Sequence, residues 1–473
     1  MGKKKLRYFM IVSAIVLAAL IVKAVLFFTA NPKITVDYVA EYNKISRPQN
    51  YNPNDNAAPY YQKAFDAFVA MPDELRKPYI NWPADFNDIE QALLEKWLIS
   101  NTLAFEYFRE ALNKAYYWIE RKSEEDNYIG SMRFPDSVQL RELTEALGWN
   151  AKLKATKGQF QIAFENILGC HRAGKHKCRP NLLLMEQHIG LRIKQDAVHV
   201  AMVILDKSKV DNKALEFLQD TLQQELDKDT YVPGSQAEKL FHYDTLQRTF
   251  LDNGKGTGRL WWRIGYDLII PVAGESEIYK RKIMLSCFTG PTRKQVAEQI
   301  EQTSALFNHV ITKTPWQIKD EGRDYFREIE NINKRHFSLK ILDIGIIDPK
   351  SIFYSYHKTR TQTDALIAVL AILRYKADTG QFPESLDELV PTGYLQSAPM
   401  DPYSSGPLVY KLTEDNFKLY SVGKDFEDNG GLTSDTYALI PVWSGSGVGR
   451  PDILYWPVKR IERPPCYNNL NDY

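Results

Sequence analysis

ALIAVLAILRYKADTG (365–380), FPESLDELVPTGYL (382–395), APMDPYSSGPLVY (398–410) and FKLYSVGKDFEDNGG (417–431) follow one another within Thr363–Gly431, and their order decides the fold of the C-terminal part. Thr361 to Leu373 is apolar on most sides, so the helix over 352–377 should be a buried spine, stopped by Gly380. Pro383 suits the first turn of a second helix, with Leu386 and Leu389 one turn apart. Asp401-Pro402 and Ser405-Gly406-Pro407 signal turns. Leu408, Tyr410 and Leu412 alternate, as do Phe417, Leu419 and Ser421; Glu414-Asp415-Asn416 between them makes a β-hairpin that should pack on the spine.

Upstream of FSLKILDIGII (337–347) the pattern from Asp88 to about Leu339 is mainly helical. Asp88 can cap a helix with Ile89, Ala92, Leu93 and Trp97 on one face. Asn101 or Thr102 opens the next, and Pro135-Asp136 opens one with Leu140, Leu143 and Leu147. Gly158 breaks to a helix through Ala163 and Ile167. Segments 182–205, 214–226, 236–251 and 293–312 continue the series. Gly158, Phe160 and Ala163 have the spacing of a tetratricopeptide second helix, with no second copy at that period. An array of helical hairpins is the safer reading. Residues 30–60 are Pro/Asn-rich and read as a linker leading off a membrane; with the short helix that follows at 58–69 they belong to a polar entry segment, 30–87.

That membrane is implied by the N-terminus. Lys3, Lys4, Lys5 and Arg7 precede an apolar run from Tyr8 to Phe28, interrupted only by Lys23. About 20 apolar residues span a hydrocarbon core. The basic cluster should stay cytoplasmic and send the rest outward, into the periplasm of a bacterium. A cleaved signal peptide is the alternative, but the core is long and Val25–Ala30 holds no small-x-small site. Five of the 60 basic residues and none of the 59 acidic ones precede residue 29, so the remainder is slightly negative. That excludes a nucleic-acid footprint.

The markers Tyr375, Gly380, Phe382-Pro383, Leu386, Leu389, Asp401-Pro402, Tyr410, Tyr420-Ser421-Val422-Gly423, Asp425 and Asp428-Asn429-Gly430-Gly431 carry a resemblance. In this order the segment resembles the globular half of the major pseudopilins of bacterial type II secretion. The resemblance implies an α+β cap, an exported address and a calcium ion in the acidic loop, where Asp425, Asp428 and Asp435 match. Clustered oxygens in a Gly-bearing turn suit calcium. The chain departs from that family at its N-terminus. Gly2 precedes Lys3 rather than Phe, the apolar helix holds no Glu, and more than 300 residues separate anchor from cap. Processing and assembly as a pilus subunit are therefore not expected. In plan the chain is similar to bacterial membrane-anchored families with an early NAAPYY-like motif (here 56–61) and a FPESLDEL-like one.

Other constellations are weaker. Cys170, His171, His176 and Cys178 are competent zinc ligands in an unfamiliar spacing, against ordinary thiols and imidazoles at a helix end. Cys170 and Cys178 bridge only if the chain reverses at Gly174; on one helix they would lie about 12 Å apart. Four cysteines, with Cys287 and Cys466, are too few for a disulfide-built fold. Trp443–Gly449 lacks the nucleophile-elbow and phosphate-loop spacings. The aromatic run with Trp261, Trp262, Ile264, Leu268 and Ile269 reads as a buried helix, with a membrane surface as the rival. His242 and Asp244 fall on different helix faces.

The expectation is a mainly α protein: a transmembrane anchor (1–29), an entry segment (30–87), an α-helical domain (88–340) and a pseudopilin-like α+β domain (341–473). Its role is expected to be envelope interaction or scaffolding, in association with secretion. Its partners are the lipid bilayer through residues 8–28 and an envelope protein. No catalytic residue is assigned, and calcium is the one candidate cofactor. The alternatives are a periplasmic enzyme with a cleft between array and cap, and an unprocessed pseudopilin relative.

Overall fold

The computed structural model describes residues 3–77, 80–263, 285, 287–334, 348–431 and 452–458. The helices are α1 (Lys3–Thr29), α2 (Tyr38–Ser46), α3 (Ala58–Ala67), α4 (Asp88–Ser100), α5 (Thr102–Leu112), α6 (Pro135–Thr156), α7 (Phe160–Lys177), α8 (Leu184–Lys207), α9 (Asn212–Asp227), α10 (Gln236–Thr249), α11 (Arg293–Val310), α12 (Pro315–Asp320), α13 (Tyr325–Lys334) and α14 (Pro349–Thr379). The strands are β1 (Val409–Leu412), β2 (Phe417–Ser421) and β3 (Ile453–Trp456), in sheet order β1-β2-β3. The chain is therefore mainly helical with one small sheet among the described residues.

Helix ends follow local chemistry. Pro135 sits in the first turn of α6, where its missing N–H costs nothing. Gly158 takes φ +70° between α6 and α7. Gly380 ends α14 in the left-handed region and donates its N–H to the Lys376 carbonyl at 3.0 Å. The cap of α4 is Asn87, not Asp88: its side chain accepts from the Glu90 N–H while Glu90 reaches back, a reciprocal box that satisfies two orphan donors.

The central layer is α6, α7 and α8. Helices α7 and α8 cross at Gly174 and Gly190, where a Cβ on either would stand 2.7 Å from the other's carbonyl oxygen. Two bare backbones thus touch, and a side chain would force the helices apart. The same approach brings Lys177 at the end of α7 beneath the start of α8.

The spine α14 is buried from Ala365 to Ile372. It packs on α8 and α9 as well as on β3. Gln195 on α8 donates to the Thr359 hydroxyl at 2.8 Å, and Arg374 on the spine donates to Gln219 on α9 at 3.0 Å. One apolar core runs through α3–α9, α14 and the sheet, across residue 340. The hairpin pairs Val409 with Tyr420 and Leu412 with Phe417, antiparallel, as its alternation implies.

Three further expectations are corrected. The stretch 30–60 is not a linker: it holds a helix, Tyr38–Ser46, and Val39, Tyr42 and Ala57 are buried. Asn56 explains why, since its amide donates to the Trp118 carbonyl at 2.8 Å and accepts from the Trp118 N–H at 3.0 Å. Its polarity serves pairing with the distant segment 116–118, through one isolated bridge, rather than solvation. The Pro383 helix shrinks to a 3-10 turn, Leu386–Leu389, cut off by Pro391 and by Gly393 at φ +80°. A third strand, β3, pairs antiparallel with β2. Trp443–Gly449 and the apolar run 337–347 lie outside the described residues.

Candidate functional site

The densest gathering of charge lies inside the protein, from segments far apart in sequence. Asp136 sits in the first turn of α6, Lys177 ends α7, and Glu186 lies in the first turn of α8. Both acids favour those N-termini and Lys177 its C-terminus. Arg121 comes from the connection before α6, and Tyr42 from α2.

Arg121 donates to Asp136 Oδ1 at 2.6 Å and Oδ2 at 3.0 Å, and to Glu186 Oε2 at 2.5 Å. Lys177 Nζ reaches Asp136 Oδ2 at 2.6 Å and Glu186 Oε2 at 3.2 Å. The Tyr117 hydroxyl donates to Asp136 at 2.7 Å, and the Tyr42 hydroxyl to Glu186 at 2.5 Å. Arg121 lies over the Phe134 ring and Lys177 over the Tyr117 ring, at 4.6 and 4.5 Å. Asn43 holds the Arg121 backbone through both its N–H and its carbonyl.

Two cations thus face two carboxylates. Lys177 is 0% exposed and Glu186 1%. Burial alone would raise both carboxyls, but Lys177 and Arg121 outweigh it and hold them below the usual carboxylate range. Burial pushes the Tyr42 and Tyr117 hydroxyls well up, so they stay donors. The cleft beside the cluster, between Tyr42, Tyr117, Trp118 and Leu182, has about 10 Å³, room for roughly one water. Every oxygen of the two carboxylates accepts at least one hydrogen bond and the cations are their counter-ions. Chemically the arrangement holds five segments together; it offers neither a free base nor space for a substrate.

One neighbour is different. Glu238 on α10 is buried, accepts the Leu184 N–H at 3.1 Å, and is pushed up to about 7 by burial. Asp244, also buried on α10, accepts from the Ile129 N–H and pairs with Arg248 at 2.7 Å. His242 is lowered to about 4 by burial.

The residues singled out by sequence do not converge. Cys170 and Cys178 are free and belong to one helix run, Cys178 as its cap. The Cys170 thiol donates to the Thr144 carbonyl, His171 meets Glu225 at 3.0 Å, and His176 meets the Tyr61 hydroxyl at 2.9 Å. Burial lowers His176 to about 4 and raises Cys178 to about 12. In the acidic loop, Asp425 accepts from the Glu427 N–H and the Asn429 amide. Asp428 accepts from Tyr420 at 2.7 Å and the Gly430 N–H at 2.8 Å, and faces the Lys411 ammonium at 3.3 Å. Asp435 lies outside the described residues. No group of three or more His, Cys, Asp or Glu side chains is gathered as a metal site among the described residues.

Sequence reasoning missed the cluster because Tyr42 and Glu186 are 144 positions apart and no motif joins its members. The one local sign was Lys177, which shares the buried side of α7 with Ala173, Gly174 and His176. No protein-family model, curated protein or solved structure matches the chain.

Proposed function

We propose that the protein is a membrane-anchored scaffold of the bacterial envelope, held through residues 8–28, with its body in the periplasm engaging a protein partner near a secretion apparatus. One observation carries the reading. Arg7–Thr29 is a helix of 23 residues with mean hydropathy 2.8 and none of that window buried against the body. A fold of this size does not leave such a surface to water. The basic residues before it favour a cytoplasmic N-terminus. The helix–hairpin order of 365–431 supports the exported address through its likeness to pseudopilins. The sealed charge cluster favours a scaffold over an enzyme, which needs an open cleft with convergent groups.

Crosslinking in native membranes, followed by pull-down on the full chain, tests this. The expected result is a discrete envelope-protein adduct, with the body digested by protease added to spheroplasts. A body protected in intact spheroplasts, or a chain recovered in the soluble fraction, would overturn it.

A further inference from the structure

The body is fastened to the foot of the anchor. The Phe28 carbonyl accepts from the Trp262 indole N–H at 3.2 Å, and the two rings meet edge to face at 5.4 Å. Phe27 stacks on Phe288 at 4.7 Å. A few residues on, the Gln247 side chain accepts from the Thr35 and Val36 N–H groups and donates to the Val36 carbonyl at 2.8 Å. The passage from α1 to α2 is therefore gripped on both sides.

The span exceeds the hydrocarbon core by about one helical turn. Its 23 residues rise roughly 35 Å, against about 30 Å of hydrocarbon. Phe27 and Phe28 must then lie at the boundary, and whatever touches them lies at the same depth. Phe288 is 52% exposed and Leu285 59%, beside Phe28 at 53%. Arg263 lies 6.0 Å from the Trp262 ring, and Arg259 donates to the Gly290 carbonyl. Trp rings with adjacent Arg are what a headgroup layer accommodates.

We infer that Trp262, Leu285 and Phe288 form a lipid-docking foot, which dips into the leaflet around the anchor and fixes the orientation of the body on the membrane. The bilayer that takes α1 is the occupant of this apolar face. This rests on the membrane reading above. Of the aromatic run expected as a buried helix, Trp262 is placed here; Ile264, Leu268 and Ile269 lie outside the described residues.

The test uses the full chain in phospholipid vesicles, with its native cysteines replaced by alanine. A polarity-sensitive thiol dye is placed at Leu285→Cys, Phe288→Cys, Ile15→Cys or Leu412→Cys, and lipids brominated near the headgroup or deep in the chain are the quenchers. Shallow bromine should remove most of the signal at 285 and 288, deep bromine that at 15, and neither that at 412. Quenching at 15 with none at 285 and 288 overturns the foot alone. No quenching at 15 overturns the anchor itself. The unaltered chain gives a second readout with a headgroup-photoreactive phospholipid. Adducts on the peptide containing 285–290 are expected; adducts confined to 7–29 overturn the proposal.

Discussion

Asp136 and Asp401 are both buried aspartates that fasten a turn, yet they are held in opposite ways. Asp136 faces two cations and a tyrosine hydroxyl drawn from two other segments. Among the described residues Asp401 meets no cation: its oxygens accept from the Tyr403 N–H at 2.9 Å, the Val422 N–H at 2.9 Å and the Ser421 hydroxyl at 2.8 Å. Burial would raise both carboxyls. At Asp136 the cations reverse the effect; at Asp401 the neutral donors only reduce it, and the carboxyl stays above its usual range. A distributed charge lock joins the helical array, and a compact neutral lock joins the sheet.

The largest expected effect is on the charge lock. Lys177→Met leaves two buried carboxylates sharing Arg121, which should cost about 3–5 kcal/mol in denaturant unfolding of the full chain in micelles. A cost no greater than that of Asp401→Asn would break the comparison. Tyr42→Phe removes a hydrogen bond to a charged acceptor and should cost about 2 kcal/mol, with the loss of hydrogen-exchange protection centred on α2. Asp401→Asn keeps an acceptor oxygen and should cost about 1 kcal/mol, with lost protection confined to 398–423. Calcium should do least. It must displace Lys411 from Asp428, so CaCl₂ should give the wild type a small rise in melting temperature. Lys411→Met should enlarge that rise; no shift in either protein would remove calcium from the loop.

Legibility follows the same division. The Asp401 lock was half visible, because Asp401-Pro402 announces a turn and Ser421-Val422 ends an alternating strand. Gly380, Pro135 and Gly158 marked helix ends through backbone constraints that act locally. The charge lock was not visible: its members lie at 42, 117, 121, 136, 177 and 186, and each alone reads as a surface residue or a helix-end charge. The Asn/Pro composition of 30–60 suggested a linker because the segment that Asn56 pairs with lies some 60 residues away. The Pro383 turn misled because the proline marks where a helix can start, not how far it runs.

The measurement that tests the two-lock account most directly is hydrogen exchange on the wild-type chain, corrected for intrinsic rates, as pH falls from about 7 to about 3. The folded values of Asp136 and Glu186 lie below the unfolded ones, so their stabilisation is full above the usual carboxylate range and begins to be lost as pH falls below that range toward the folded values. Asp401 has the opposite sign: its folded value is raised, so it gives up stability as pH rises and regains it in acid. Protection should therefore fade first at 38–46 and 113–134, while 398–423 persists. Fading that begins in 398–423, or one simultaneous loss across both regions, would contradict the account.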